Sequence, residues 1–158
     1  MNIAVRRAVP ADTAAACELV RNSITQLCAI DHRDDESTIS AWLANKTPDN
    51  FASWISSPRD MAVVAEKAGV IAGFGLLSRN GTIALLYVAP QFRFGGVSKA
   101  MLASLEEHAI ALGITELKLE SSATALSFYE RCGYLRIGDT VPGFGVTRAY
   151  PLSKTLAL

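Results

Sequence analysis

No stretch of this 158-residue chain is apolar for long enough to span a bilayer, and no signal-peptide pattern opens it, so a reducing cytoplasm is the expected home. An excess of either charge is also missing. Basic and acidic residues number 15 each, which argues against a protein held mainly by nucleic-acid phosphates or an anionic membrane surface. Cysteine is scarce. Cys17, Cys28 and Cys132 form an odd set without metal-type spacing; they read as buried small hydrophobes, and no metal is expected. Repeats, low-complexity tracts and interdomain linkers are absent, and 50% hydrophobic residues suit one domain, 1–158, around one core. No dinucleotide fingerprint follows a strand and no glycine loop ends in Gly-Lys-Ser/Thr, so Rossmann and P-loop sites do not fit.

The most informative stretch present runs from Val88 to Leu102. An apolar strand, Thr82 to Val88, passes through Ala89-Pro90 into Gly95-Gly96, which opens an amphipathic helix marked by Val97, Met101, Leu105, Ala109 and Leu112 and ending near Gly113. A helix start has unpaired N–H groups and the positive end of the helix dipole, and glycine lets an anion approach them closely. Arg93 adds fixed positive charge. A phosphorylated ligand is implied.

The rest of the chain supplies a mixed order of elements. Asn2 to Ala8 has strand character, and Pro10-Ala11-Asp12 opens a helix carried by Ala16, Leu19, Val20, Ile24 and Leu27. A polar segment from Asp31 to Asp35 precedes two short helices, Glu36 to Asn45 and Pro48 to Ile55, each with a tryptophan. Met61–Glu66 and Val70–Ser78 predict a hairpin about Ala68-Gly69, and Asn80-Gly81 a tight turn into the Thr82 strand. A strand over Ile114–Glu120, a helix over Ala123–Cys132 and strands near Tyr134–Gly138 and Val146–Leu152 complete the chain. The fold class is α/β, with one mixed, mostly antiparallel central sheet flanked by helices.

Arg93-Phe94-Gly95-Gly96-Val97-Ser98 resembles the acyl-CoA signature of the GNAT superfamily of N-acyltransferases, Gln/Arg-x-x-Gly-x-Gly/Ala, with Ser98 departing at the last position. Ser122-Ala123-Thr124-Ala125-Leu126-Ser127-Phe128-Tyr129-Glu130-Arg131-Cys132-Gly133-Tyr134 is similar to a second family element, Asn-x-x-Ala-x-x-x-Tyr-x-x-x-Gly-Phe/Tyr, with Ser122 in place of Asn. The resemblance covers the C-terminal half. It implies acetyl-CoA as acyl donor and an amine as acceptor, with pantetheine lying in a slot between splayed strands against Leu86, Tyr87 and Val88. The pyrophosphate would meet the amides from Arg93 through Ser98, and Ser122, Ala125 and Phe128 would complete the donor site. Tyr129 stands at the family's usual acid position, where its phenol would protonate the departing thiolate; packing on an amphipathic helix is the competing role. The resemblance also makes the acceptor a primary amine of a small molecule or peptide, attacking directly.

The base is harder to find. Many family members carry a glutamate on the strand before the phosphate loop, but Thr82, Ala84 and Leu86 alternate here. Glu120 is the remaining carboxylate candidate, although Glu116, Lys118 and Glu120 alternate as on a solvated face. His32 has a suitable intrinsic pKa, His108 reads as helix surface, and deprotonation by water stays open. The resemblance also implies acceptor walls from the first helices and the final hairpin, which makes Asp31, His32, Asp34, Asp35, Trp42, Trp54 and the loop carrying Phe144 candidates; a solvated loop and core tryptophans are the competing roles. An acidic rim at Asp31–Glu36 would favour a cationic acceptor. Without a strand carboxylate, a non-catalytic acyl-CoA-binding or sensing domain is the principal alternative, and a toxin acetylating aminoacyl-tRNA fits the neutral charge poorly. A homodimer is compatible with the sequence.

Overall fold

The computed structural model describes residues 2–157. The first four strands, β1 (Ile3–Arg7), β2 (Asp60–Lys67), β3 (Val70–Ser78) and β4 (Ile83–Val88), form an antiparallel sheet in that order. Between β1 and β2 lie α1 (Thr13–Leu27), α2 (Ala29–His32), α3 (Glu36–Leu43) and α4 (Pro48–Ser56). The predicted mixed, mostly antiparallel sheet flanked by helices is present, its strands dividing between this part and a second. β5 (Glu116–Ser121) pairs with β8 (Arg148–Thr155), which also pairs with the two-residue strands β6 (Leu135–Arg136) and β7 (Val141–Pro142). The predicted strand from Tyr134 to Gly138 shrinks to β6, and the predicted polar segment after Asp31 begins inside α2. A 3-10 turn over Pro10–Asp12 leads into α1.

Helices on both faces explain why β2 reads as a continuous apolar run. Ala62 and Val64 join α1, α3 and α4 in one core; Val63 and Ala65 face the other way, toward α5 (Val97–Ala111). At Gly73 a β-carbon would stand 2.5 Å from Met101 Cε and 2.9 Å from Val97 Cγ1, so only glycine lets α5 lie this close to β3. A polar cluster closes the other end of α5. The Tyr134 hydroxyl donates to Glu106 at 2.8 Å and Lys154 bridges Glu106 at 3.1 Å, tying α5 to β8.

The two sheets meet at one point. Thr82 bridges Lys118 in parallel, with the Lys118 N–H donating to the Gly81 carbonyl at 2.9 Å. Beyond it β4 and β5 part. The register passes from Leu77 opposite Ile83 to Leu76 opposite Leu85, leaving Ala84 as an unopposed bulge residue. A bulge bends its strand and increases local twist, which opens the gap.

Candidate active site

The gap between β4 and β5 widens into a cleft of about 1400 Å³. Its first wall is backbone. The Ala89 N–H donates to Ala72, and Tyr87 pairs with Phe74, so strand alternation turns the N–H and C=O of Leu86 and Val88 away from β3 and into the gap. α5 begins where β4 leads. Gly96 is its N-cap at φ 85°, a left-handed conformation that favours glycine, and no side chain caps the helix. Its first N–H groups therefore remain available beside Arg93, Phe94 and Ser98, which line the cleft. Phe94 is 91% exposed, with the Arg93 guanidinium 4.6 Å from its ring centre. Gly95 is the exception among the predicted loop residues. It is absent from the lining, its carbonyl accepts from Lys67 Nζ at 3.4 Å, and a β-carbon there would meet that nitrogen at 2.7 Å.

α6 (Leu126–Arg131) supplies the opposite wall. Ser122 starts the turn before it by accepting the Ala125 N–H at 3.2 Å, and Ala125 and Phe128 line the cleft. Tyr129 is buried between Phe128 and Tyr134, with ring centres at 5.2 and 5.6 Å. It also lines the cleft, and among the described residues no hydrogen bond engages its hydroxyl. Burial holds its phenol well above the ordinary range, with Tyr87 and Cys132 adding to the effect. Tyr129 thus packs between two aromatic rings while still facing the cleft. Glu120 lies exposed on β5, at the rim of the cleft.

The acceptor-side expectations change most. Asp31 is buried, and its carboxylate accepts the N–H groups of Ala123 at 2.6 Å and Thr124 at 3.1 Å, with the Thr124 hydroxyl as a third donor. It fastens α2 to the turn before α6. His32 is fully buried rather than a loop base: Nε2 lies 3.0 Å from the Ile24 carbonyl and Nδ1 accepts the Asp34 N–H at 3.0 Å. That pairing places the proton on Nε2 and leaves neither nitrogen for the cleft. Asp35 caps α3 by accepting from Thr38 N–H and the Ser37 and Thr38 hydroxyls, while Asp34 is solvent-exposed at φ 56°. Neither aspartate lines the cleft, so the acidic rim is not formed.

Trp42 and Phe144 do converge. Their rings stack with centres 5.9 Å apart, and the Trp42 indole N–H donates to the Tyr87 hydroxyl at 3.3 Å. The loop bearing Phe144 is held against α3 by the Val146 N–H donating to Thr38 Oγ1 at 3.1 Å. Trp54 lines the cleft while packing on Phe51. Cys28 lines it too; burial pushes its thiol up to about 12, consistent with a small buried hydrophobe.

Two groups escaped the sequence reading. The Tyr87 side chain, beyond its backbone, presents a buried hydroxyl. Lys46 is 3% exposed and lines the cleft, with Nζ donating to Asn45 Oδ1 at 2.6 Å and to the Trp42 carbonyl at 3.4 Å. Lys46 lies beyond α3, in the turn where its N–H donates to the Leu43 carbonyl at 2.9 Å, and no sequence pattern marks it out.

A family model described as an acetyltransferase (GNAT) domain matches residues 28–155. The chain is similar to a GCN5-related N-acetyltransferase of Rhodopseudomonas palustris at 28% identity, TM-score 0.87, covering 99% of this chain and 97% of that one. PaiA N-acetyltransferase of Thermoplasma acidophilum, solved with coenzyme A, matches at 20% identity and TM-score 0.83, covering 98% and 99%. YncA of Salmonella typhimurium, solved with acetyl-CoA, matches at 17% identity and TM-score 0.75, covering 100% and 96%. No curated protein sequence matches the chain. With a matching family model over most of its length and the same fold in these neighbours, the chain belongs to the GNAT acetyltransferase family.

Proposed function

We propose that this acetyl-CoA-dependent N-acetyltransferase works by direct attack of a neutral primary amine on the thioester carbonyl, with both substrates held side by side in the β4–β5 cleft. The observation that carries the reading is the unclaimed β4 edge at Leu86 and Val88 leading straight to the uncapped N-terminus of α5. An amide-bearing pantetheine arm completes such an edge as an added strand would, and the helix start suits a pyrophosphate. The coenzyme-bearing neighbours PaiA and YncA have this fold.

The residues divide the chemistry as follows. Attack forms the N–C bond and breaks the C–S bond; the amine proton leaves to water, and the thiolate gains a proton. The Val88 N–H polarises the thioester carbonyl, stabilising the negative charge that develops on oxygen. Tyr129 donates a hydrogen bond to the departing sulfur. A phenol raised above its ordinary pKa of about 10 is a weaker acid than a thiol of about 8.5, so stabilisation by a retained proton suits it better than full transfer. Water then supplies the proton to the thiolate. Among strand positions Thr82, Ala84 and Leu86 offer no carboxylate base, and Glu120, exposed at the rim, is a carboxylate able to relay the amine proton through water.

Orientation of both reactants supplies on the order of 7–11 kcal/mol in the best cases, so a dedicated base is not essential to a useful rate. A thiol-release assay with acetyl-CoA across amino acids, polyamines, aminoglycosides and peptide N-termini tests the reading. Amine-dependent release is expected. Tight acetyl-CoA binding without release from any amine would instead favour the non-catalytic binding domain to which the missing strand carboxylate points.

A further inference from the structure

Lys46 is a cation buried without an acid. Its relative exposure is 3%, and among the described residues no carboxylate lies within ion-pair distance of its Nζ. An ammonium has three donors, whereas Asn45 Oδ1 and the more distant Trp42 carbonyl are the acceptors it meets. The position is fixed from behind. The Lys46 carbonyl accepts from Arg21 Nη1 at 2.8 Å and from the Cys17 thiol at 3.4 Å, so the backbone is anchored to α1 while the side chain extends under the Phe144 ring, 5.2 Å from its centre. Phe144 in turn stacks on Trp42. The result is an aromatic wall with a single positive charge at its base, inside the cleft and on the side away from the helix start of α5.

Isolated charge is expensive to bury, and a simple packing role would be filled more cheaply by methionine or leucine. Desolvation lowers the Lys46 ammonium to about 8, the physical sign of a charge lacking its counter-ion. Asp31, which also lines the cleft, is already satisfied by the turn before α6. A ligand is the remaining source of negative charge.

We propose that Lys46 is the anion-binding residue of the acceptor pocket, and that the acceptor is an amine which also carries a carboxylate, as an amino acid does. One ammonium with a free donor matches a monoanion. The aromatic wall formed by Trp42 and Phe144 takes the apolar part of the molecule. The same positive charge favours the neutral form of a nearby acceptor amine, which eases the shortage of a carboxylate base. This substrate class replaces the cationic acceptor expected from the Asp31–Glu36 cluster, and for the transfer step it rests on the acetyltransferase reading.

Binding of products separates the two. The CoA-saturated protein is titrated by calorimetry with a panel of N-acetyl amino acids and their matched primary amides, none of which has an amine to titrate. At least one acid is expected to bind tenfold or more tightly than its amide at pH 7. That preference should shrink as pH rises from 7 to 8.5, because Lys46 loses most of its charge across this range. The groups facing it do not reproduce the effect: burial raises the Cys17 thiol above its ordinary 9.0, and Asn45, Trp42 and Phe144 do not titrate. Lys46→Met should abolish the preference. Amides that bind as well as acids, a preference unchanged across pH, or one that survives Lys46→Met would each overturn the proposal, as would failure of every acid to bind. The pH series on the wild-type chain decides the matter even if Lys46→Met fails to fold. Thiol release from the free amino acids is measured in parallel: its absence would count against the transfer reaction while leaving a measured acid preference standing.

Discussion

The two halves of the cleft are made of different material. The half proposed for the donor is mainly backbone: the edge of β4, the first turn of α5 and the turn before α6. The half proposed for the acceptor is mainly side chain, with Trp42 from α3, Phe144 from the loop before β8 and Lys46 from the α3–α4 connection meeting across the fold. Backbone sites demand a conformation, and conformation leaves a local sequence trace in glycine, proline and short polar residues. Side-chain sites demand only that distant residues meet. A donor half of this kind suits one constant cosubstrate, whereas an acceptor half assembled from long-range pairs can be altered one side chain at a time.

The largest expected effect tests whether the donor half is electrostatic as well as conformational. Gly96→Asp puts a carboxylate at the N-cap of α5; a β-carbon there meets only Ile3 Cδ1, at 3.8 Å, so crowding is minor. Aspartate also tolerates the left-handed region better than most residues. Like charges about 6 Å apart repel by about 3 kcal/mol at an effective dielectric near 20, or roughly a hundredfold in affinity. Calorimetry should therefore show CoA binding weakened about a hundredfold in a folded variant. Gly96→Asn carries the same backbone demand without the charge and should retain most of the affinity. Equal losses in both variants would make the site conformational alone, and no loss in either would move the pyrophosphate elsewhere.

Tyr129→Phe asks whether the one donor-half side chain given a chemical role has it. The ring and its contacts with Phe128 and Tyr134 remain, and only the hydroxyl goes. A hydrogen bond to a charged partner is worth about 1.5–3 kcal/mol, so turnover should fall roughly 10- to 150-fold with CoA affinity nearly unchanged. General-acid catalysis would cost about 10²- to 10⁴-fold, so a loss beyond a thousandfold would restore full proton transfer. A wild-type rate, with chemistry limiting, would reduce Tyr129 to packing.

How much of this was legible follows the same division. The glycine loop, the hairpin about Gly69, the turn at Gly81 and the splay of β4 from β5 all have local causes or carry a motif, and the structure contains them. Asp31, His32, Asp34 and Asp35 looked alike in sequence because polar residues in a row suggest a solvated loop. Their fates depend on partners elsewhere: Asp31 on Ala123 and Thr124, His32 on the end of α1, Asp35 on the start of α3. Single-sequence patterning has no access to a contact between residues 31 and 123. The core role expected of Trp42 holds on one side only, since the indole is core on one side and cleft wall on the other.

Phe144→Ala sharpens the comparison from the acceptor side. The ring is 39% exposed and stacks on Trp42, so its removal should leave the fold largely intact while opening one wall of the pocket. We expect KM for the acceptor to rise several-fold to about tenfold, in keeping with an aromatic contact worth about 0.5–1.5 kcal/mol, and KM for acetyl-CoA to stay constant. Parallel increases for both substrates would mean that the two halves are not independent.

The smallest kinetic effect belongs to the residues that first seemed to define the acceptor. Asp34→Asn and Asp35→Asn should leave KM unchanged for cationic, neutral and anionic amines, with no dependence on salt, because neither carboxylate lines the cleft. Their difference should appear in stability instead. Hydrogen bonds from Thr38 and Ser37 hold the Asp35 carboxyl below its ordinary value of 3.8. A carboxyl depressed in the folded state contributes stability that is fully present above the unfolded pKa and fades as pH falls through the lower, folded one. Asp35→Asn should thus lower Tm at pH 7 and narrow its gap to wild type below about pH 4, whereas Asp34→Asn should melt like the parent throughout. The check is a pair of thermal melts across pH 2.5–7 beside acceptor kinetics at two salt concentrations. A salt-dependent rise in KM for cationic amines alone would bring the acidic segment back to the mouth of the pocket and set it against Lys46.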